Sequence, residues 1–363
     1  MNKTKSEGKL TVLVGGQYGS EGKGLIASFL ANDYDVHVRV GSPNAGHTFY
    51  WKGEKHVMQS IPCGWTNPNA AIVIGRGALI NLEQFFKELR HILTYYPDFL
   101  ARLFIDPEAG ILDEKFHKEE GGTEGEMHRR IGSTGEGVGP ARIARLKRDP
   151  EQFRQFKDVA EELGLEGCIM YNTPRMLEFW RVTGKNILIE GTQGSGLSLL
   201  HSNWPYCTSI DTNAAGIISE VGIAPSKVTN VIMVCRTYPI RVAGNSGPME
   251  HEITWEELNK RMGVEITPEK TTVTKKIRRI AEWDSALFEQ SCLLNAPTEV
   301  ALTFADYIDP SLYGVTDPNK VMDSKKLREF LKNNKVYNLK YIGTGPDSVV
   351  DIDPDWVPHY VPM

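Results

Sequence analysis

Gly15-Gly16-Gln17-Tyr18-Gly19-Ser20-Glu21-Gly22-Lys23-Gly24 joins an apolar run, Leu10–Val14, to a segment expected to be helical, Gly22–Ala31. Free amides at a helix N-terminus, set among glycines and next to a lysine, make an anion site. The stretch resembles a P-loop without being one. The glycine required six residues before the lysine is Gln17, and the Ser or Thr required after it is Gly24. The run Leu10–Val14 reads as a buried strand, so the stretch is a strand-to-helix turn with phosphate-binding chemistry. A second strand, Asp35–Val40, ends in Gly41-Ser42-Pro43-Asn44-Ala45-Gly46-His47-Thr48. There His47 stands where it could give a proton or hydrogen bond to developing negative charge.

The same alternation continues along the chain. Ala71–Ile74, Asn186–Glu190 and Val228–Val234 read as further strands, and Leu82–Leu93 and Gln152–Leu163 as helices. Strands alternating with helices, with glycine loops after the strands, predict an α/β fold. Its centre is a large, mainly parallel sheet with flanking helices and a P-loop-like nucleotide site. Ligands gather beyond the carboxyl ends of such strands. No domain boundary is visible, so residues 1–363 are expected to form one domain, with Glu114–Gly139 as a mobile loop region.

Composition excludes several classes. Of 363 residues, 41 are Lys or Arg and 46 Asp or Glu, a net charge of −5, which argues against direct nucleic-acid binding. The five cysteines, Cys63, Cys168, Cys207, Cys235 and Cys292, form no CxxC pair, and buried reduced thiols are expected rather than a disulfide framework or a zinc site. The first residues lack an apolar signal core, and no run approaches the ~18 residues of a membrane span. A soluble, cytoplasmic protein is expected. Gly, at 34 residues, is the unusual count, and the glycines cluster with Thr, Ser, Asn and His.

Those clusters fall in the order of one family. Together the two loops look like the phosphate loop and the Asn-Ala-Gly-His-Thr loop of adenylosuccinate synthetase. Gly132-Ser133-Thr134-Gly135-Glu136-Gly137-Val138-Gly139-Pro140 resembles the family's Thr-Gly-rich loop. Glu190-Gly191-Thr192-Gln193-Gly194 resembles its Glu-Gly-Ala-Gln-Gly turn, and Pro205-Tyr206-Cys207-Thr208-Ser209 its Val-Thr-Ser segment. Gly343-Thr344-Gly345-Pro346-Asp347 resembles its C-terminal Thr-Gly-Pro stretch, so the likeness runs from about Gly15 to Asp347.

The resemblance implies a carbon–nitrogen ligase. A nucleoside triphosphate phosphorylates O6 of a purine monophosphate, and the amine of L-aspartate then displaces that phosphate. It implies catalytic roles for Ser20, Lys23 and His47, and Mg2+ held at Ser20 and the Gly46 carbonyl. Around the substrate nucleotide it implies Ser20, Asn44, Ala45, Ser133, Thr134, Gln193, Leu197 and Thr208, with Arg145 crossing a homodimer interface and Arg142 as its fallback. For L-aspartate it implies Thr272, Val273, Thr274, Lys276 and Arg278, because arginine forks grip carboxylates. For the triphosphate it implies Gly19, Glu21, Gly22, Lys23, Gly24, Gly46, His47, Thr48, Arg278, Asp306, Gly343 and Gly345.

Two departures redirect the substrate. The family reads Gly-Asp-Glu-Gly-Lys-Gly where this chain has Gly19-Ser20-Glu21-Gly22-Lys23-Gly24. Its general-base aspartate is thus Ser20, whose hydroxyl does not ionise near pH 7. A small neutral side chain leaves room for a 2-amino group and can accept its hydrogen bond, which points from hypoxanthine to guanine. That resembles the phage-type aminodeoxyadenylosuccinate synthetase branch, which makes a succinylated 2-aminoadenine nucleotide from dGMP for 2-aminoadenine DNA. In the Leu302-Thr303-Phe304-Ala305-Asp306 stretch, Phe304 replaces the lysine beside the family's guanine-reading aspartate, so an ATP or dATP donor is expected. Two rivals stand. One is an ordinary synthetase using IMP and GTP. The other is a non-catalytic nucleotide-binding regulator, which would show no aspartate-dependent phosphate release.

Overall fold

A computed structural model describes residues 6–271 and 275–353. Its centre is a nine-stranded sheet. The strand order is Val349–Asp351, Leu339–Gly343, Glu299–Thr303, Asn230–Arg236, Leu10–Gly15, Ile187–Glu190, Val36–Arg39, Ala71–Ile74 and Leu103–Ile105. Every neighbouring pair is parallel except the first, Val349–Asp351 against Leu339–Gly343. Both faces of the sheet are covered, so its strands read as continuous apolar runs rather than alternating ones. Leu13 packs with Ile26, Phe49, Trp65 and Phe85 on one face, while Val12 and Val14 pack with Ile189, Phe288 and Leu302 on the other. The expected α/β architecture is therefore present.

The local expectations divide. The helix Leu82–Leu93 forms as read, with Asn81 accepting from the Gln84 amide at 3.0 Å as its N-cap. The first helix is shorter than expected, Lys23–Phe29. Gln152–Leu163 is not a helix. The amides of Phe156 and Lys157 bond to the carbonyls of Ala109 and Pro107 at 2.8 and 2.9 Å, which leaves only the short 3-10 turn Phe156–Asp158. The stretch at 114–139, expected to be loop, carries the helices Glu114–Glu120 and Glu126–Ile131, and glycines mark their ends. Gly121 and Gly132 take left-handed C-cap conformations, φ 77° and 70°. All five cysteines are free thiols. Among the described residues, no helix is long and apolar enough to cross a membrane.

Candidate functional site

Three apolar strands finish on a buried charge: Val36–Arg39 on Arg39, Ile187–Glu190 on Glu190 and Asn230–Arg236 on Arg236. The parallel register brings these ends, and the loops that follow, to one edge of the sheet. The first strand ends at Gly15, and the anion loop starts there. Within that loop Glu21 is fully buried. Its Oε1 accepts from the amides of Gln17 and Gly19 at 3.1 and 2.6 Å, and its Oε2 pairs with Lys23 Nζ at 2.8 Å. Gly24 stands where a P-loop has a hydroxyl residue because there is no room for a side chain. A Cβ there would lie 2.7 Å from the Thr48 carbonyl oxygen.

His47 opens the strand His47–Trp51 and is buried beside the end of the sheet. Its Nδ1 lies 2.5 Å from Glu190 Oε1, so the ring donates to that carboxylate. Arg39 pairs with the same oxygen and also donates to the Ala45 carbonyl at 2.7 Å, and the Cys63 amide donates to Glu190 Oε2 at 2.8 Å. Burial, together with the Arg39 charge, holds His47 below its ordinary pKa and therefore neutral. Burial alone would raise Glu190, but Arg39, His47 and the Cys63 amide outweigh it and keep Glu190 ionised. His47 Nε2 has no hydrogen-bond partner among the described residues. With the proton on Nδ1, Nε2 presents a lone pair, so His47 becomes an acid toward a ligand oxygen by taking up a second proton when an anion binds beside it.

Outside this buried cluster lies a cavity of about 200 Å3. Of the residues expected at the site, Gly19, Ser20, Asn44, Ala45, Gly46, Ser133, Thr134, Gln193, Leu197, Thr208, Lys276 and Arg278 line it. Its cations are Arg241, Lys276 and Arg278, and its only carboxylate among the described residues is Glu120. A cavity with that balance favours an anionic ligand. Glu120 is already engaged. It accepts from the Ser133 hydroxyl and the Gly137 amide, the donors at the start of the helix Val138–Lys147. Arg241 lies 4.4 Å over the Tyr18 ring and donates to the Tyr206 carbonyl at 3.0 Å.

Other expected residues lie elsewhere. Gly22 and Gly24 are at the root of the first helix, and Thr48 packs against Gly24. Asp306, Gly343 and Gly345 sit at or just beyond the ends of Glu299–Thr303 and Leu339–Gly343, outside the cavity lining. Asp306 Oδ1 is buried without a hydrogen-bond partner among the described residues, and burial raises its carboxyl to about 6. Arg145 does not line the cavity. Its NH1 donates to the Arg76 carbonyl at 3.2 Å, whereas Arg142 is spent on Glu220 at 3.0 Å and the Gly77 carbonyl at 2.9 Å. Thr272, Val273 and Thr274 lie outside the described residues. Arg39, Arg236 and Arg241 were not among the residues expected from sequence. A charge closing an apolar strand, as in Val36-His37-Val38-Arg39, is the signal that would have found the first two.

Magnesium has oxygen donors here. Gly46 offers a backbone carbonyl and Ser20 a hydroxyl on the same cavity, while Glu21 is already committed to Lys23. Two neutral oxygens fit an ion that takes its remaining ligands from phosphate and water.

Comparison with known proteins accounts for this arrangement. The Adenylosuccinate synthetase family model matches residues 12–163 and 149–312. The adenylosuccinate synthetase of Methanococcus maripaludis is 38% identical over 349 residues, 94% of this chain and 98% of that protein. That of Methanocaldococcus jannaschii is 38% identical over 352 residues, 94% and 96% of the two chains. Among solved structures, the cyanophage S-2L succinoaminodeoxyadenylate synthetase (PurZ), bound to dGMP and dATP as an energy donor, superposes with a TM-score of 0.79. It is 29% identical and covers 95% of each chain. Fully ligated adenylosuccinate synthetase from Plasmodium falciparum, 20% identical with a TM-score of 0.78 over 95% and 100% of the chains, shares the fold. With its fold and its sequence both matched over nearly their whole length, the chain belongs to the adenylosuccinate synthetase family, carbon–nitrogen ligases of purine nucleotide biosynthesis.

Proposed function

We propose that the chain joins L-aspartate to C6 of dGMP with cleavage of ATP or dATP. The reaction passes through a 6-phosphoryl intermediate to the succinylated 2-aminoadenine deoxynucleotide. The observation that carries this reading is Ser20. It lines the cavity where the family pattern has a carboxylate, and no free carboxylate replaces it among the described residues. A guanine 2-amino group finds there the space that a carboxylate would fill, and the hydroxyl oxygen can accept its hydrogen bond. The dGMP and dATP held by the cyanophage neighbour support the same choice.

In this reading Lys23 and the loop amides hold the triphosphate, and His47 Nε2 meets the transferring phosphoryl group. Ser20 relays the N1 proton of guanine to water or a phosphate oxygen. Asn44, Ala45, Gln193 and Leu197 flank the purine, and Ser133, Thr134 and Thr208 receive its 5′-phosphate in place of Glu120. Arg278 and Lys276, with Thr272, Val273 and Thr274, take the aspartate carboxylates. Mg2+ at Ser20 and Gly46, when bound, neutralises charge on the phosphates.

A homodimer is part of the proposal. Arg145 stands beside Ile143 and Leu146, 53% and 77% exposed on the same helix, which gives that surface apolar area to cover. One assay decides between this reading and the IMP-and-GTP reaction that the names of the archaeal relatives suggest. Purified protein with Mg2+ and L-aspartate is supplied with IMP, GMP or dGMP, each against GTP, ATP or dATP. The highest kcat/KM is expected for dGMP with an adenine donor. A preference for IMP overturns the proposal, and absence of aspartate-dependent phosphate release points to a regulator.

A further inference from the structure

Arg236 is 1% exposed and touches three regions at once. Its fork grips Glu269, NH2 to Oε1 at 2.6 Å and NH1 to Oε2 at 3.3 Å. NH1 also donates to the Ser20 carbonyl at 3.2 Å, and the guanidinium lies over the Phe304 ring, 3.8 Å from its centroid. Each contact leads to a different ligand region. Ser20 lines the substrate cavity. The Glu269 carbonyl accepts from the Arg278 amide at 2.8 Å, and Arg278 lines the same cavity on the aspartate side. Phe304 belongs to the segment that carries Asp306, at the position where the family resemblance puts the base of the donor nucleotide.

The arrangement is held firmly. Gln17 fixes the Arg236 backbone through two side-chain bonds, 2.9 Å to its amide and 3.0 Å to its carbonyl. Phe304 adopts a left-handed backbone, φ 60°, and its carbonyl accepts from Thr237 Oγ1 at 2.7 Å. An L-residue in that region sits at a cost that surrounding contacts must offset. Among the described residues two buried polar atoms at this junction have no hydrogen-bond partner: Arg236 Nε and Asp306 Oδ1. The Arg236 charge acts on the Asp306 carboxyl, yet no hydrogen bond joins the two. Both residues adjoin Phe304, so hydrogen-bonding capacity is left beside the donor-base position.

We propose that Arg236 is a positioning residue that couples the donor-nucleotide site to the aspartate side of the cavity, so that L-aspartate binding depends on donor occupancy. The proposal rests on the ATP or dATP donor of the proposed function and on the donor-base position that the family resemblance gives Asp306. In this coupling the guanidinium links Phe304 to Glu269, whose backbone carbonyl accepts from the Arg278 amide. Lysine in place of Arg236 would keep the charge but lose both the flat stacking face and the two-pronged grip.

The test is the KM for L-aspartate at a donor concentration one-tenth of its own KM, divided by that at a saturating concentration. It uses whichever purine monophosphate the enzyme turns over, so a preference for IMP would sink the dGMP reading and leave the coupling measurable. The wild-type ratio is expected at about five or more, the lower end of ordinary coupling factors. Phe304→Leu, which spares the Arg236–Glu269 pair, and Arg236→Lys should bring it near one, while Phe304→Tyr, which keeps the ring, should retain it. A wild-type ratio near one, or an undiminished ratio in Phe304→Leu, would overturn the coupling. Should Arg236→Lys fail to fold, the Phe304 pair decides alone.

Discussion

The loop at 15–24 and the loop at 132–140 both open a helix with glycines, and in both a carboxylate of the same chain occupies the donors. They differ in what stands behind that carboxylate. Glu21 is fully buried, belongs to its own loop and is paired with Lys23 at 2.8 Å. Glu120 comes from a separate helix, Glu114–Glu120, and holds the Ser133 hydroxyl and the Gly137 amide. It has no cation in an ion pair among the described residues. The first carboxylate is part of the fold; the second occupies a place that a substrate phosphate can take. A glycine-rich loop therefore shows where anions bind, and the partners of its resident carboxylate show whether the site is structural or exchangeable.

The sharpest way to break the comparison is to remove chemistry from the buried side. His47→Asn keeps a polar side chain but loses the ring nitrogen that faces no partner. Its kcat should fall roughly 100- to 10,000-fold, the usual contribution of a positioned acid, with the KM of the purine nucleotide changed only slightly. An unchanged kcat would remove His47 from the chemistry. Glu21→Gln comes next. It leaves the Lys23 ammonium buried with a neutral partner, so stability should drop by about 3–5 kcal/mol, as when one member of a buried pair is lost. The matched Glu120→Gln should cost little stability. If the two substitutions destabilise equally in a urea titration, the distinction between the loops fails.

Ser20→Asp asks whether position 20 selects the purine. A carboxylate there would crowd the 2-amino group of guanine and supply a base for hypoxanthine. The ratio of kcat/KM for dGMP over IMP should fall by about 100-fold, the scale at which a pocket rejects or accepts one polar group. Ser20→Ala should also slow dGMP turnover. An unchanged rate in that variant would end the role given to the hydroxyl. A smaller effect is expected at the exchangeable loop: Glu120→Gln weakens the competitor for Ser133 and the Gly137 amide and should lower the KM for dGMP a few-fold.

Much of this was legible in the sequence because glycine clusters and strand periodicity are local. The strand Ala71–Ile74 and the helix Leu82–Leu93 form with the boundaries expected from their patterns. Twelve expected residues meet on one cavity; most follow a strand end or glycine loop, whereas Thr208, Lys276 and Arg278 come from segments picked out by the family resemblance. The misses share a cause. Gln152–Leu163 has a helix-like composition, but contacts with the carbonyls at 107 and 109 capture its amides, and no pattern within the segment announces them. Arg236 acquires its meaning from Ser20, Glu269 and Phe304, partners 216, 33 and 68 positions away, and only the folded chain brings them together.

The smallest expected effect is the pH dependence of the buried side. His37, in the strand Val36–Arg39, is fully buried with Nε2 at 3.0 Å from the Ala31 carbonyl, and burial lowers its pKa to about 4. An unfolded histidine titrates near 6.5. Between those values the unfolded chain binds a proton that the folded chain refuses, so stability is retained above about pH 6.5 and declines as pH falls toward 4. Lowering the pH from 7 to 5.5 should cost roughly 1 kcal/mol for this histidine, and His47 adds in the same direction. His37→Gln should flatten that part of the stability profile, measured by urea midpoint across the range. A profile that His37→Gln leaves unchanged would remove His37 from the acid-sensitive groups.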